Sequence, residues 1–381
     1  MRLRMYILFA LGTILLLIIP LLQCNLKFYI VFVAAFFAFF GFLYDPIAQW
    51  DAVKVGQGVD LVRYFDELEN FRFFGDSYEG YMSQPLSRYY LMFFSNFNSN
   101  HWLPCITAFI IYLVNLILIY KIGKRNDYSM SVIAIGMITF IALNDYFSAI
   151  AAIRYPMAMT LFFLVLYWDL FCHIKFSKIL YIIPILFHPG TSLLLLARIM
   201  SQGRLKYSLF FGIACIAVLV SGFDWIFDYI INYTDSIFFT GLQAKTLSYT
   251  TGFVYQVPLL TMVVSIFLTL SLPFFTFVLM LVNKEWVKQN RKFITMESFL
   301  VIMSAVFLVT NISTGNMTAR IAGAVSFFSG VLVMPIEYVF IKYYHKNFNY
   351  KFFNTLLFGY IAVLIVIKYG KQYISWIAPG L

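Results

Sequence analysis

Two arginines stand where small and polar residues give way to long apolar runs. Arg154 lies in "SAIAAIRYPMAMTLFF" and Arg320 lies in "NISTGNMTARIAGAVSFF". Pro156 favours the first turn of a helix, which places Arg154 at a helix N-terminus, where the macrodipole is already positive. A cation is unfavourable there unless an anion binds, and a guanidinium group can hold a phosphate with two hydrogen bonds. Both arginines are therefore candidates for phosphate binding, and the alternative is a side chain that reaches from the interface into water.

A histidine interrupts a third apolar run. His188 lies in "LFHPGTSLL", where Pro189 and Gly190 disfavour a continuous helix. An imidazole titrates near neutral pH, so His188 is a candidate general base, or a proton donor to a leaving phosphate. The alternative is a structural histidine that is hydrogen-bonded to backbone carbonyls.

The segment 44–101 holds all eight acidic side chains of the first hundred residues. In "VGQGVDLVRYFDEL", Asp60, Arg63 and Tyr64 have spacings that a helix would place on one face. Asp60 is a second candidate base, and the alternative is an exposed helix with a local ion pair. The sequence "QPLSRYYLMFFSNF", from Gln84 to Phe97, predicts a short amphipathic helix in the membrane interface.

The composition requires lipid as the solvent for much of the surface. Of the 381 residues, 62% are hydrophobic and 12% are charged, whereas soluble domains carry roughly 25% charged residues. We therefore expect a single, all-α polytopic membrane domain over residues 1–381. The apolar runs predict about eleven spans. They lie at about 5–23, 28–43, 102–120, 130–147, 155–172, 179–200, 207–222, 256–282, 294–311, 321–341 and 352–369.

The net charge of +10 is explained by basic loops and does not indicate a nucleic-acid partner. The clusters around 121–125, 175–178, 204–206, 284–292 and 342–351 are expected to be cytoplasmic. The acidic segments 44–101 and 223–255 are expected to be external. A single crossing at 179–200 would place two basic loops on opposite sides, so we expect a re-entrant hairpin with His188 near its tip.

No cofactor is expected. The four cysteines have no ligand spacing, and neither a DxD nor an HExxH motif occurs, so the predicted chemistry is independent of a metal.

The order of these features resembles that of the EpsG-like, Wzy-type polymerases of O-antigen and capsular polysaccharide. These are related in architecture to the C-type membrane glycosyltransferases. The resemblance covers roughly 40–340 and is carried by "GVDLVRYF", "AIRYPMAM", "LFHPGTSLL" and "ARIAGAVSFF". Asp60, Tyr64, Arg154, His188 and Arg320 match the family's positions, whereas Tyr155 stands where relatives often carry a polar residue.

The resemblance implies a polymerase that joins undecaprenyl-diphosphate-linked oligosaccharide repeat units on the outer face of a bacterial inner membrane. The diphosphate would be the leaving group, stabilised by Arg154 and Arg320, with His188 or Asp60 as the base. Membrane lipid would surround the protein, and a chain-length regulator is an expected partner. The acidic and aromatic external segment would bind sugars, and its candidates are Arg63, Tyr64, Glu79 and Arg88.

Two other classes stay open from the sequence. A ligase or another membrane transferase would place its large external loop late in the chain, whereas here it comes early. A flippase or transporter of lipid-linked oligosaccharide would show broken helices in matching halves, and no internal repeat is visible.

Overall fold

A computed structural model shows that the chain folds into helices. The structure describes residues 2–22, 24–44, 46, 59–75, 84–144, 146–201, 270–276, 278, 292, 295–296, 298–300, 302–304, 323–339, 341–342 and 359. None of these residues lies in a β-strand. The expected all-α class is therefore confirmed for the described part of the chain.

The helices are numbered here in chain order. They are α1 Arg2–Ile18, α2 Leu26–Leu43, α3 Val59–Phe74, α4 Pro85–Ser95, α5 Trp102–Arg125, α6 Met130–Leu143, α7 Tyr146–Ala151, α8 Arg154–Tyr167, α9 Ser177–Leu180, α10 Ile182–Phe187, α11 Ser192–Met200 and α12 Ser329–Val339. Two 3-10 turns occur at Ile19–Leu22 and Pro189–Thr191, and a π-helical turn, Trp168–Cys172, continues α8.

Three of the described helices are long and apolar enough to cross a membrane: α2, α5, and α8 with its π-helical turn. Shorter apolar helices include α6 and α12. The chain is therefore a membrane protein with helical spans. The expected number of eleven stays a prediction, because the predicted spans 207–222 and 352–369 lie almost wholly outside the described residues.

One predicted span ends earlier than its apolar composition suggested. The run 130–147 was expected to be one helix, but α6 ends at Leu143 and α7 begins at Tyr146. Asn144 explains the difference, because its backbone N–H and its side-chain amide both donate to the carbonyl of Phe140. A polar side chain that binds the backbone in this way competes with helix continuation.

The chain divides into two compact units, Met1–His188 with Ser329–Leu381, and Pro189–Phe328. In the first unit α5 packs against both α2 and α8. Gly41 permits a close approach of α2 to α5, since a Cβ there would lie 2.8 Å from the carbonyl oxygen of Pro104. In the second unit, the described elements include the 3-10 turn Pro189–Thr191 and α11, which pack on each other.

The span that begins at α8 has an arginine at one end and basic loops at the other. It runs over 19 residues from Arg154 to Cys172, or about 28 Å of helix. At its far end the Arg125 guanidinium lies 3.5 Å from the sulfur of Cys172, and Lys175 and Lys178 are exposed nearby in the chain. Arg154 and this basic cluster therefore occupy opposite ends of one span.

Candidate functional site

Arg154 is the first residue of α8, as the sequence predicted. Pro156 is the third residue of the helix, where its missing N–H is no loss because the first turn has no acceptors for its donors. Ile153, the residue before the helix, makes no side-chain cap. The half-buried Arg154 side chain thus sits at the positive end of a helix dipole.

Two neutral side chains from distant parts of the chain hold Arg154. Its Nε donates to the hydroxyl oxygen of Tyr64 at 2.8 Å, and its Nη1 donates to Oε1 of Gln84 at 2.7 Å. The guanidinium carbon also lies 5.3 Å from the centre of the Tyr64 ring. Tyr64 is 1% exposed and Gln84 is fully buried. Two hydrogen bonds to neutral acceptors therefore fix the direction of the guanidinium group.

Asp60, one turn before Tyr64, forms an exposed ion pair with Arg63. The distance from Arg63 Nη2 to Asp60 Oδ1 is 2.8 Å, with side chains 52% and 45% exposed. Exposed pairs of this kind contribute about 0–1 kcal/mol to stability. The local ion pair, which the sequence offered as the alternative to a catalytic base, is therefore present at Asp60. Tyr64 is buried, and its ring lies 5.7 Å from the Arg63 guanidinium and close to Arg154.

His188 lies at the end of α10, where the predicted break occurs. Its backbone is extended, with φ −150° and ψ 111°, and its N–H donates to the carbonyl oxygen of Pro184 at 2.8 Å. The half-buried imidazole meets the Tyr155 ring edge to face, with 5.2 Å between centroids. Because Tyr155 directly follows Arg154, the histidine and the arginine are linked through neighbouring residues. The break is confirmed, whereas the re-entrant path stays a prediction.

A small apolar cluster positions the three elements that carry these side chains. Phe187, the residue before His188, is buried against Met157 and Ala158 of α8. From α4, Leu86 and Tyr90 pack against the same cluster. The starts of α4 and α8 and the end of α10 therefore meet around one apolar contact.

Hydrogen bonds strengthen the attachment of α4 to this cluster. The Ser87 hydroxyl donates to the carbonyl oxygen of Phe187, and the Tyr90 hydroxyl lies 2.8 Å from that of Thr107 on α5. Burial raises the pKa of the Tyr90 hydroxyl far above its ordinary value, so it stays a neutral hydrogen-bond partner.

Arg72 fixes the other end of α4 to α3. Its Nε donates to the carbonyl oxygen of Ser95 at 2.8 Å and its Nη2 to that of Phe97 at 2.9 Å. These carbonyls lie at a helix C-terminus, where a cation is favourable. Arg72 thus holds the C-terminal end of α4 directly, and Tyr64 is joined to its N-cap residue, Gln84, through Arg154.

Among the sequence-predicted site residues, Tyr64 and Arg154 are in direct contact, and His188 is joined to them through Tyr155. Arg88 lies half-buried on α4. Glu79 and Arg320, and the external segment 223–255, lie outside the described residues. Within the described ranges no group of three or more His, Cys, Asp or Glu could hold a metal ion. Metal independence stays a prediction.

Gln84 is a contact of Arg154 that the sequence did not indicate. It lies directly before Pro85, which is the first residue of α4, so it occupies the N-cap position. A residue before a proline at a helix start is a recognisable signal. What could not be read from the sequence is its bond to a residue 70 positions further along the chain.

A comparison with protein families matches residues 50–377 to the EpsG family. The match covers most of the chain, including α3, α4, α8, α10 and α12. EpsG-like proteins resemble the Wzy-type polymerases, which supports a role in polysaccharide biosynthesis and, at a general level, an enzyme. Searches of curated proteins and of solved structures gave no significant match.

Proposed function

The chain belongs to the EpsG family, and on that premise we propose that it is a membrane glycosyltransferase that polymerises lipid-linked oligosaccharide repeat units. The carrier is undecaprenyl diphosphate, and the reaction takes place on the outer face of the bacterial inner membrane. The observation that carries the proposal is Arg154, held by Tyr64 and Gln84 at the start of a membrane-spanning helix.

The reaction transfers the growing chain from its carrier to the next repeat unit. A hydroxyl oxygen of the acceptor sugar forms a bond to the anomeric carbon of the donor sugar. The bond from that carbon to the diphosphate oxygen breaks, and undecaprenyl diphosphate leaves with the electron pair. The hydroxyl proton passes to a base. Negative charge therefore grows on the bridging oxygen of the leaving diphosphate.

Arg154 is suited to stabilise this charge. A guanidinium group whose direction is already fixed needs little reorganisation when the charge develops, which is the condition for strong electrostatic catalysis. The start of α8 adds the partial positive charge of the helix dipole. In our proposal Arg320 contributes the second cation.

His188 is the base in this proposal. Its imidazole lies against Tyr155, next to Arg154, and so within the same group of side chains. The side chain of Asp60, the rival candidate, is 45% exposed, and its carboxylate accepts a hydrogen bond from Arg63. The sugars of the two substrates would contact Arg63, Tyr64, Glu79 and Arg88, and a chain-length regulator would set how many transfers occur.

Charge at the two ends of α8 supports the proposed orientation. The cluster of basic residues at the Cys172 end is typical of the cytoplasmic side, so Arg154 would face the periplasm. A cysteine introduced by Gly80→Cys should react with an impermeant maleimide from outside. Cysteines introduced at Lys124 and Arg204 should react only after permeabilisation. External labelling at Arg204 would contradict the re-entrant hairpin.

The pattern of glycans in a strain that lacks this gene tests the function. We expect a single repeat unit to reach its final acceptor while longer chains disappear, because ligation and flipping continue without the polymerase. Restoring the gene should restore the ladder. Loss of even the single unit would indicate a ligase or a flippase and would contradict the polymerase.

A further inference from the structure

Gln84 has a buried side-chain amide, and only the oxygen of that amide makes a hydrogen bond within the described part of the chain. Its side chain is fully buried, and Oε1 accepts the hydrogen bond from Arg154. Within the described part of the chain, Nε2 has no hydrogen-bond partner. The orientation of the amide is determined by the arginine, which can only donate. The unused atom of Gln84 is therefore a donor.

Asn115 on α5 shows the opposite arrangement. It is also fully buried, but its Nδ2 donates to the carbonyl oxygen of Ile111 and to the hydroxyl oxygen of Thr160. The atom that lacks a partner among the described residues is Oδ1, an acceptor. A ligand with negative oxygens can be bound by a donor and is repelled by an acceptor. Of these two buried amides, only Gln84 suits an anion.

The donor of Gln84 lies where two helices begin. Gln84 is the N-cap residue of α4, which has 11 residues, and Arg154 opens α8, which has 14. Neither N-cap side chain bonds to its helix. The first N–H groups of a helix have no acceptor within it and favour a bound anion. The hydrogen bond from Arg154 to Gln84 thus joins a guanidinium group to an amide donor, and the start of α8 to the start of α4.

We propose that Gln84 is a ligand-binding residue whose Nε2 donates to a phosphate oxygen held at the same time by Arg154. Arg154 is only half-buried, so the ligand reaches Gln84 along the arginine. The inference rests on the proposed function where it names the diphosphate of the lipid carrier as the source of that oxygen. A phospholipid headgroup offers the same chemistry, and the experiment distinguishes the two sources.

The test measures binding by the purified full chain in nanodiscs of phosphatidylcholine. The probe is farnesyl diphosphate, and farnesol is the uncharged reference. Gln84→Met keeps the length of the side chain and removes the donor, so the affinity for farnesyl diphosphate should fall at least roughly tenfold, equivalent to about 1.4 kcal/mol. The affinity for farnesol should stay within about twofold of the wild-type value.

Two further variants test the donor and its position. Gln84→Glu keeps an acceptor for the arginine but replaces the donor with a carboxylate, whose charge also repels an anion, so its affinity for farnesyl diphosphate should fall further than that of Gln84→Met. Asn115→Leu, the matched change at a buried amide outside the site, should bind the probe within about twofold of wild type. Wild-type affinity in Gln84→Glu, or equal loss for farnesol and farnesyl diphosphate, would overturn the inference.

Competition identifies the source of the phosphate. Inorganic pyrophosphate should displace the farnesyl diphosphate, whereas phosphatidylglycerol should not. If the protein binds only phosphatidylglycerol and this binding depends on Gln84, the donor is confirmed and the proposed polymerase function is contradicted. If the wild type binds farnesyl diphosphate and Gln84→Met binds it equally well, the inference fails and the proposed function stands.

Discussion

The group around Arg154 and the contact between α6 and α12 are built in opposite ways. The first joins a charged side chain to two buried neutral partners through hydrogen bonds. The second brings two backbones together at Gly136 and Gly330, where a Cβ would lie 2.7 Å or 2.5 Å from the carbonyl oxygen opposite. Burying the charge of Arg154 raises the free energy of the folded state, whereas close packing of α6 against α12 lowers it.

This contrast indicates that the first region serves activity and the second serves folding. Close approach of small residues is how helices associate where no hydrophobic force acts between them. Ionisable groups that are buried in the membrane-embedded part of a protein are costly and indicate a functional site by default. We therefore expect substitutions at the Arg154 group to lower activity with little loss of folded protein, and substitutions at the glycine contact to do the reverse.

The largest effect is expected for Arg154→Ala. Removing one group that stabilises developing charge typically lowers the rate by about 10²–10³-fold. Polymer ladders from membranes with equal amounts of the protein measure the effect. Arg154→Lys should also be strongly impaired, since lysine keeps the charge but cannot donate from a fixed planar fork.

Arg125→Gln is the matched control for Arg154. This arginine lies at the other end of the same span, beside Cys172. Its substitution should leave the ladder unchanged. Normal polymer from Arg154→Ala would refute the role of Arg154 in binding the diphosphate.

Tyr64→Phe should have the next largest effect. The phenyl ring keeps the packing of α3, but Arg154 Nε loses its acceptor, and a hydrogen bond to a charged group contributes about 1.5–3 kcal/mol. We expect the polymerisation rate to fall about 10- to 100-fold, as the arginine loses its fixed direction. Tyr29→Phe, which removes another buried hydroxyl that donates to the carbonyl oxygen of Leu16, should not change the rate.

Gly330→Ala tests the other region. The new methyl group would meet the backbone oxygen of Gly136, which no side-chain rotation can relieve, and overpacking costs about 1–3 kcal/mol. The thermal midpoint of the detergent-solubilised protein should fall, while the activity per folded molecule stays normal. Gly359→Ala is the control, since a Cβ there meets no atom of the described residues within 4 Å. Unchanged stability in Gly330→Ala would show that the contact is not close.

Asp60→Asn should have the smallest effect. Its exposed ion pair with Arg63 contributes about 0–1 kcal/mol, so stability should hardly change. If His188 is the base, polymerisation by Asp60→Asn should fall less than about threefold, whereas His188→Gln should lose about 10²-fold or more. The reverse pattern would assign the base to Asp60.

Local signals made part of the site predictable from the sequence. Pro156 placed Arg154 at a helix start, and Pro189 with Gly190 placed a break at His188. The spacing of Asp60 and Arg63 indicated their ion pair. Each of these follows from interactions between residues that lie close together in the chain.

The contacts between these elements could not be read in the same way. Arg154 binds Tyr64 from 90 positions away and Gln84 from 70 positions away, and neither spacing has a periodicity. Hydropathy also did not predict where α6 ends. The Asn144 side chain, bound to the carbonyl of Phe140, ends the helix inside an apolar run. The close approach of Gly136 and Gly330 likewise depends on which helices are neighbours in space.

The most direct test is polymerisation by the purified protein in nanodiscs with an undecaprenyl-diphosphate-linked repeat unit as the only glycan. The wild type should produce a ladder of longer lipid-linked chains and release undecaprenyl diphosphate in equal number to the bonds formed. Arg154→Ala should insert into the same nanodiscs, but it should produce neither longer chains nor free undecaprenyl diphosphate. Chain growth by Arg154→Ala at the wild-type rate, or release of undecaprenyl diphosphate by the wild type without longer chains, would contradict the account.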